Sequence, residues 1–180
     1  MHAKQPGLWE IVAKTTVAHT LTYFAMGLVA FSLFNYTTRF ADPALSALMR
    51  PTDDPLVQAG VLFQPIRGAL FGLVFYLLRE VLFRQKDGWL VLWVTLVVVG
   101  IFSTFGTAPG SIEGFIYTKV SFRGLEGGMV EVLTQSLLLS VLVYYWVNHP
   151  EKRWLNWALG VLFFVVLLLP ALGLLARQAA

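Results

Sequence analysis

Apolar residues fall in five blocks along the chain, over 9–36, 60–83, 89–106, 130–147 and 154–176. Each block is nearly continuous rather than alternating. A helix needs about 20 residues to cross a hydrocarbon core about 30 Å thick. Barrel strands would instead alternate over about ten residues. The pattern therefore predicts an all-α fold: a polytopic transmembrane helix bundle of five spans, forming one membrane domain over 1–180. No repeat period is visible. Glu10 and Lys14 interrupt the order of a cleavable signal, so the first helix is expected to be retained.

The links between blocks are of two kinds. Those around 85–88 and 149–153 are short and fit tight antiparallel pairs. The links over 37–54 and 107–129 are longer, and each is expected to hold a short interfacial helix. Asp42 before Pro43 reads as a cap and first turn, with Leu45, Leu48 and Met49 resting on lipid or on other helices. Ser111 reads as a second cap, with Glu113 in the first turn. Ile112, Phe115, Ile116 and Tyr117 are too apolar for a solvated loop, so this stretch should dip into the interface or cover the bundle.

Orientation follows from the cations. With the N-terminus inside, the inner segments carry Lys4, Lys14, Arg79, Arg84, Lys86, Lys152 and Arg153. The outer segments carry Arg39, Arg50, Lys119, Arg123 and Arg177. This modest positive-inside bias predicts an inner N-terminus and an outer C-terminus. Trp9, Trp89, Trp93, Trp146, Trp154 and Trp157 then all fall at or near the inner interface, the level that indole rings prefer. A bacterial cytoplasmic (inner) membrane is the expected location.

Composition narrows the classes. Hydrophobic residues make up 57% and charged residues 13% of the 180, against about 45–50% and about 25% in soluble domains. Mean hydropathy is +0.70. These values exclude an ordinary soluble globule, a disordered chain and a nucleic-acid-binding module. The net charge of +3 is scattered at the ends of apolar runs, so no nucleic-acid partner is expected. Cysteine is absent, which removes disulfides, thiolate metal sites and Cys nucleophiles.

Arg67 is the most informative polar residue, because a charge deep in a span needs a cavity or a partner. It follows Gln64, itself a candidate for a ligand or polar contact, and Pro65, which can kink the helix and free backbone carbonyls. Three readings stand: snorkelling to the outer interface, a structural ion pair, or a ligand contact. The candidate ion-pair partners are Glu113 and Glu131, with Gln135 one turn deeper than Glu131 on the same helix face. On the first helix Thr15, His19, Thr22, Tyr23 and Met26 recur at helical spacing, and His19 is expected to bond to a neighbouring helix.

Gly68 and Gly72 form a Gly-x-x-x-Gly pair, a spacing that lets two backbones approach closely. Ser136 and Ser140 make a similar narrow face on the fourth helix. Residues 90–99 are apolar on every side, as for a helix facing lipid or partner subunits. No nucleophile elbow, zinc-protease motif, P-loop or dinucleotide fingerprint occurs. No metal or cofactor is expected, and catalysis is not favoured. Three functions stay open: a noncatalytic subunit or accessory protein, as a homo-oligomer or with other membrane subunits; a small oligomeric transporter using the Arg/Glu cluster; or a membrane-embedded enzyme acting on lipid or an exported substrate.

Overall fold

The computed structural model of the chain describes residues 6–41, 43–120 and 122–178. Among them all regular structure is helical. Four helical stretches are long and apolar enough to cross a membrane: Leu8–Phe34, Pro55–Leu77, Gly127–Asn148 and Arg153–Arg177.

Helix α1 (Leu8–Phe34) starts after the extended Gly7, with Glu10 in its first turn to favour the helix N-terminus. Its Thr16, Thr20 and Thr22 hydroxyls donate to carbonyls one turn back, at 2.8, 2.9 and 2.9 Å. Such back-bonding lets threonine sit in an apolar medium without an orphaned hydroxyl. The helix stops at Asn35, whose φ of 47° is left-handed, a conformation asparagine tolerates better than most residues. Short helices α2 (Tyr36–Phe40) and α3 (Pro43–Ser46) follow. The expected Asp42 cap lies outside the described residues.

The second span begins at Pro55, earlier than the apolar pattern predicts. Asp54 accepts the Leu56 N–H at 2.8 Å and so caps α4 (Pro55–Gln58). A 3-10 turn, Ala59–Phe63, joins α4 to α5 (Gln64–Leu77). The backbone breaks at Leu78 before α6 (Arg79–Arg84). Gly88 then opens α7 (Gly88–Val97). A Cβ there would lie 1.7 Å from the Leu82 carbonyl oxygen, so the tight α6–α7 corner demands glycine.

The third apolar helix is shorter than the pattern predicts. After ten residues of α7 come five in a π turn, Val98–Phe102. The Ser103 N–H closes on the Val98 carbonyl at 2.8 Å, and the helix ends there. Fifteen residues rise about 22 Å, less than a bilayer core. A looped stretch and α8 (Ile112–Tyr117) lead to α9 (Phe122–Asn148) and α10 (Arg153–Gln178). Ser111 caps α8, accepting the Gly114 N–H at 2.9 Å.

Helix α1 is the axis of the bundle. Helix α5 packs on one side of it and α9 on another, α7 lies against α6 and α9, and α10 against α1 and the 3-10 turn. The Gly68 and Gly72 pair sets the α1–α5 approach: Cβ atoms there would stand 2.7 and 2.6 Å from the Cα atoms of Thr16 and Val12. The apolar core joins Ile11, Ala18, Phe75, Leu82, Leu92, Leu139 and Val143. Two ties lock the end of the bundle that carries the start of α1, hereafter the near end. The Tyr144 hydroxyl donates to the Gln85 carbonyl at 2.9 Å, and the Trp146 indole donates to Asn156 Oδ1 at 2.7 Å.

The tryptophans divide. Trp9, Trp154 and Trp157 are exposed, but Trp146 is buried and Trp93 donates to the Leu133 carbonyl at 3.3 Å. Those last two take part in helix packing.

Candidate functional site

Polar side chains follow one another up α1 at three levels. At the near end Lys14 is buried, yet its ammonium donates to Glu10 at 2.7 Å and to the Trp146 carbonyl at 3.0 Å. This satisfies the charge locally and ties α1 to α9. A buried ammonium without such partners would be strongly unfavourable.

The middle level is built on Gln64. Its backbone N–H turns to the Val61 carbonyl as the 3-10 turn ends. Its side-chain amide donates to the Gly60 carbonyl at 2.9 Å, which leaves Oε1 facing α1. His19, fully buried, meets that oxygen with Nε2 at 3.1 Å. The network therefore assigns the Nε2–H tautomer, as the expected bond from His19 to another helix requires. Among the described residues, His19 Nδ1 and the buried Thr15 hydroxyl one turn away have no hydrogen-bond partner. The His19 ring stands edge-on to Phe71, 5.1 Å between centroids.

Arg67 lies beside this group but is not absorbed into it. Its guanidinium sits over the Phe71 ring, 5.4 Å from the centroid, and the residue is exposed. A cation over an aromatic face gains on the order of 0.5–1 kcal/mol at exposed sites, far short of an ion pair's compensation for a charge in hydrocarbon. None of the three ion pairs among the described residues involves it: those are Glu10–Lys14, Arg50–Asp54 and Glu80–Arg84.

The upper level holds Glu131. The Tyr36 hydroxyl donates to its carboxylate, joining α2 to α9. Tyr23 lies between the levels, its hydroxyl 3.5 Å from the place of a Cβ on Gly60, and within electrostatic reach of both Glu131 and Arg67. Gln135 is buried one turn below Glu131. Ser136 and Ser140 donate to carbonyls of their own helix, Leu133 at 2.9 Å and Ser136 at 2.7 Å. Glu113, on α8, is half-buried.

The structure thus brings together Arg67, Gln64, His19 and Tyr23, with Glu131 and Tyr36 above them. The candidate pairs Arg67–Glu113 and Arg67–Glu131 are not among the ion pairs of the described residues. Sequence reading places Tyr36 as the last residue of the first span and does not mark it as a site residue, whereas the structure ends α1 at Phe34. The tight end of α1 at Asn35 is what turns Tyr36 back onto α9.

Burial, followed by the Glu131 carboxylate, holds the Tyr36 phenol above its ordinary range. A group with a raised pKa contributes stability that is full below its unfolded value, about 10 for tyrosine, and is lost as pH rises through the folded value. We therefore expect the phenolate absorbance difference between wild type and Tyr36→Phe to stay near zero at pH 10.5. Ionisation of that phenol at pH 10 would show that the contact does not persist.

Among the described residues no group of three His, Asp or Glu is placed to hold a metal, and no Ser or Thr hydroxyl bonds to a histidine ring. No family model, curated protein or solved structure matches the chain.

Proposed function

We propose that this chain is a small noncatalytic integral membrane protein that serves as a subunit or accessory component of a larger membrane assembly. It crosses the bilayer five times, with the near end inside and the C-terminus outside, in a bacterial cytoplasmic membrane. The helices α3 and α8 lie at the outer interface. The observation that carries the reading is α10: its apolar window is only 6% buried within the chain, with Trp157, Phe164, Leu168 and Leu172 all exposed. A helix apolar on every side is at home in lipid or against other membrane helices. Meanwhile Lys14, Gln64 and Glu131 are bonded to groups of the chain itself, as structural residues are.

Native mass measurement in mild detergent tests this. The reading expects a defined assembly heavier than one 20.1 kDa chain, either of identical copies or with other subunits. A lone chain at every protein concentration and in several detergents would contradict it.

One observation favours a second reading, an oligomeric transporter: Arg67 is a cation within a spanning segment and outside every described ion pair. Intramembrane charges of this kind often mark a path for a substrate or ion. Anion flux into vesicles that disappears in Arg67→Gln would move the assignment there, whereas unchanged vesicle permeability keeps the subunit reading.

A further inference from the structure

An apolar groove of about 180 Å³ runs between α5–α6 and α7, lined by Phe71, Val74, Leu78, Leu92, Leu96 and Val99. It is open to the side: Val74, Leu78 and Val99 are about half exposed. Residues 67, 71, 74 and 78 share one face of the helix by their spacing, so Arg67 stands directly above the groove on the wall that Phe71 and Val74 form. The Arg67 guanidinium lies over Phe71, the residue that lines the groove's upper end.

Antiparallel packing gives the level. Helix α5 descends toward the near end while α7 rises from it, so Leu78 and Leu92 lie low, and Phe71 and Val99 lie high. The π turn finishes at Phe102, one short step past Val99. On this flank the helical wall is only about 22 Å high. The polar chain at Ser103–Thr104, and any headgroup beside it, therefore approach the level of Arg67.

From this juxtaposition we infer a lipid site: an anionic phospholipid from the surrounding bilayer, with its phosphate on Arg67 and one acyl chain in the α5–α7 groove. The charge argument selects the occupant. A guanidinium in an apolar setting requires an anion, and no described carboxylate is within ion-pair distance. Phosphate matches its planar fork with two parallel hydrogen bonds. The groove supplies the other half. Its lining takes a short length of acyl chain, which gains little on transfer from lipid to an apolar groove. The chain therefore gives position, and the charge gives preference. This inference stands apart from the proposed subunit role.

The test uses the full chain in mild detergent with equal amounts of phosphatidylglycerol and phosphatidylcholine of the same acyl chains. Native mass spectrometry counts the lipids retained. Wild type is expected to keep one phosphatidylglycerol with at least a fivefold preference. Arg67→Gln should bring the preference to near parity, and Arg67→Lys should keep part of it. Val99→Trp changes an exposed position and fills the groove mouth, so it should lower retention of both lipids about fivefold. Lys86→Gln, on the near-end turn, should change nothing. Equal retention of the two lipids by wild type would overturn the site, as would a wild-type preference in Arg67→Gln or loss of preference in Lys86→Gln. Undiminished retention in Val99→Trp, or displacement of the lipid by millimolar inorganic phosphate, would overturn the acyl-chain half.

Discussion

Gly72→Leu is expected to force α5 off α1 and to cost about 3 kcal/mol or more, at the upper end of overpacking penalties. The two nearest atoms a Cβ would meet are backbone, Val12 Cα at 2.6 Å and the Val12 carbonyl oxygen at 3.2 Å, and the third is Thr15 Cβ, fixed to its backbone, at 3.3 Å. No side chain can swing aside, so the helices must separate or slide. Sliding α5 would carry Gln64 away from His19 and Phe75 out of the core. Gly68→Leu should behave alike, with Thr16 Cα at 2.7 Å. The control is Gly160→Leu, where nothing lies within 4 Å and the change should stay within about 0.5 kcal/mol. Reversible unfolding in mixed micelles measures all three. A Gly72→Leu protein as stable as wild type would show that the two backbones do not touch.

Gln64→Leu is the second large effect. The amide does two things at once: it donates to the Gly60 carbonyl and accepts from His19. Leucine fills similar space but leaves the buried His19 N–H without a partner. An unsatisfied buried donor costs about 1–3 kcal/mol, and within a connected network the loss falls at the high end, so about 3 kcal/mol is expected. Adding His19→Phe should restore most of it, because replacing both partners with apolar groups removes the orphan. Stability of the double variant below that of Gln64→Leu would mean that His19 is held by something other than Gln64.

Both effects rest on features that sequence shows unequally. The Gly68–Gly72 pair is legible because its spacing equals one helical turn, and the structure turns that spacing into contact with α1. Helix existence is legible for the same reason: runs of apolar residues leave the backbone no hydrogen-bond partner but itself. Helix ends are less so. The apolar run ends at Ser103–Thr104, where the helix stops, but Phe105 beyond them extends the predicted span, and composition alone carries no mark of the i→i+5 register at 98–102. Partner choice is the least legible. Arg67, Glu113 and Glu131 fall on the same side of a five-pass drawing, so charge alone would pair them. What sequence does not give is the rotation of each helix about its axis, which leaves the Arg67 guanidinium over Phe71, or the fold-back at Asn35 that brings the Tyr36 phenol to Glu131. Gln64 illustrates the converse. Beside Arg67 it reads as a candidate for a ligand or polar contact, and only the 3-10 geometry shows that its side chain spans the Gly60 carbonyl and His19.

The short α7 makes the number of crossings the point on which the membrane arrangement turns. The chain contains no cysteine, so single cysteines can be introduced without background. Gly7→Cys and Lys86→Cys mark the near end, Asp53→Cys the far end, and Gln178→Cys the C-terminus. In intact cells treated with a membrane-impermeant maleimide, Asp53→Cys and Gln178→Cys should label, while Gly7→Cys and Lys86→Cys should label only after the membrane is opened. Labelling of Gly7→Cys and Gln178→Cys from the same side would contradict the five-pass account.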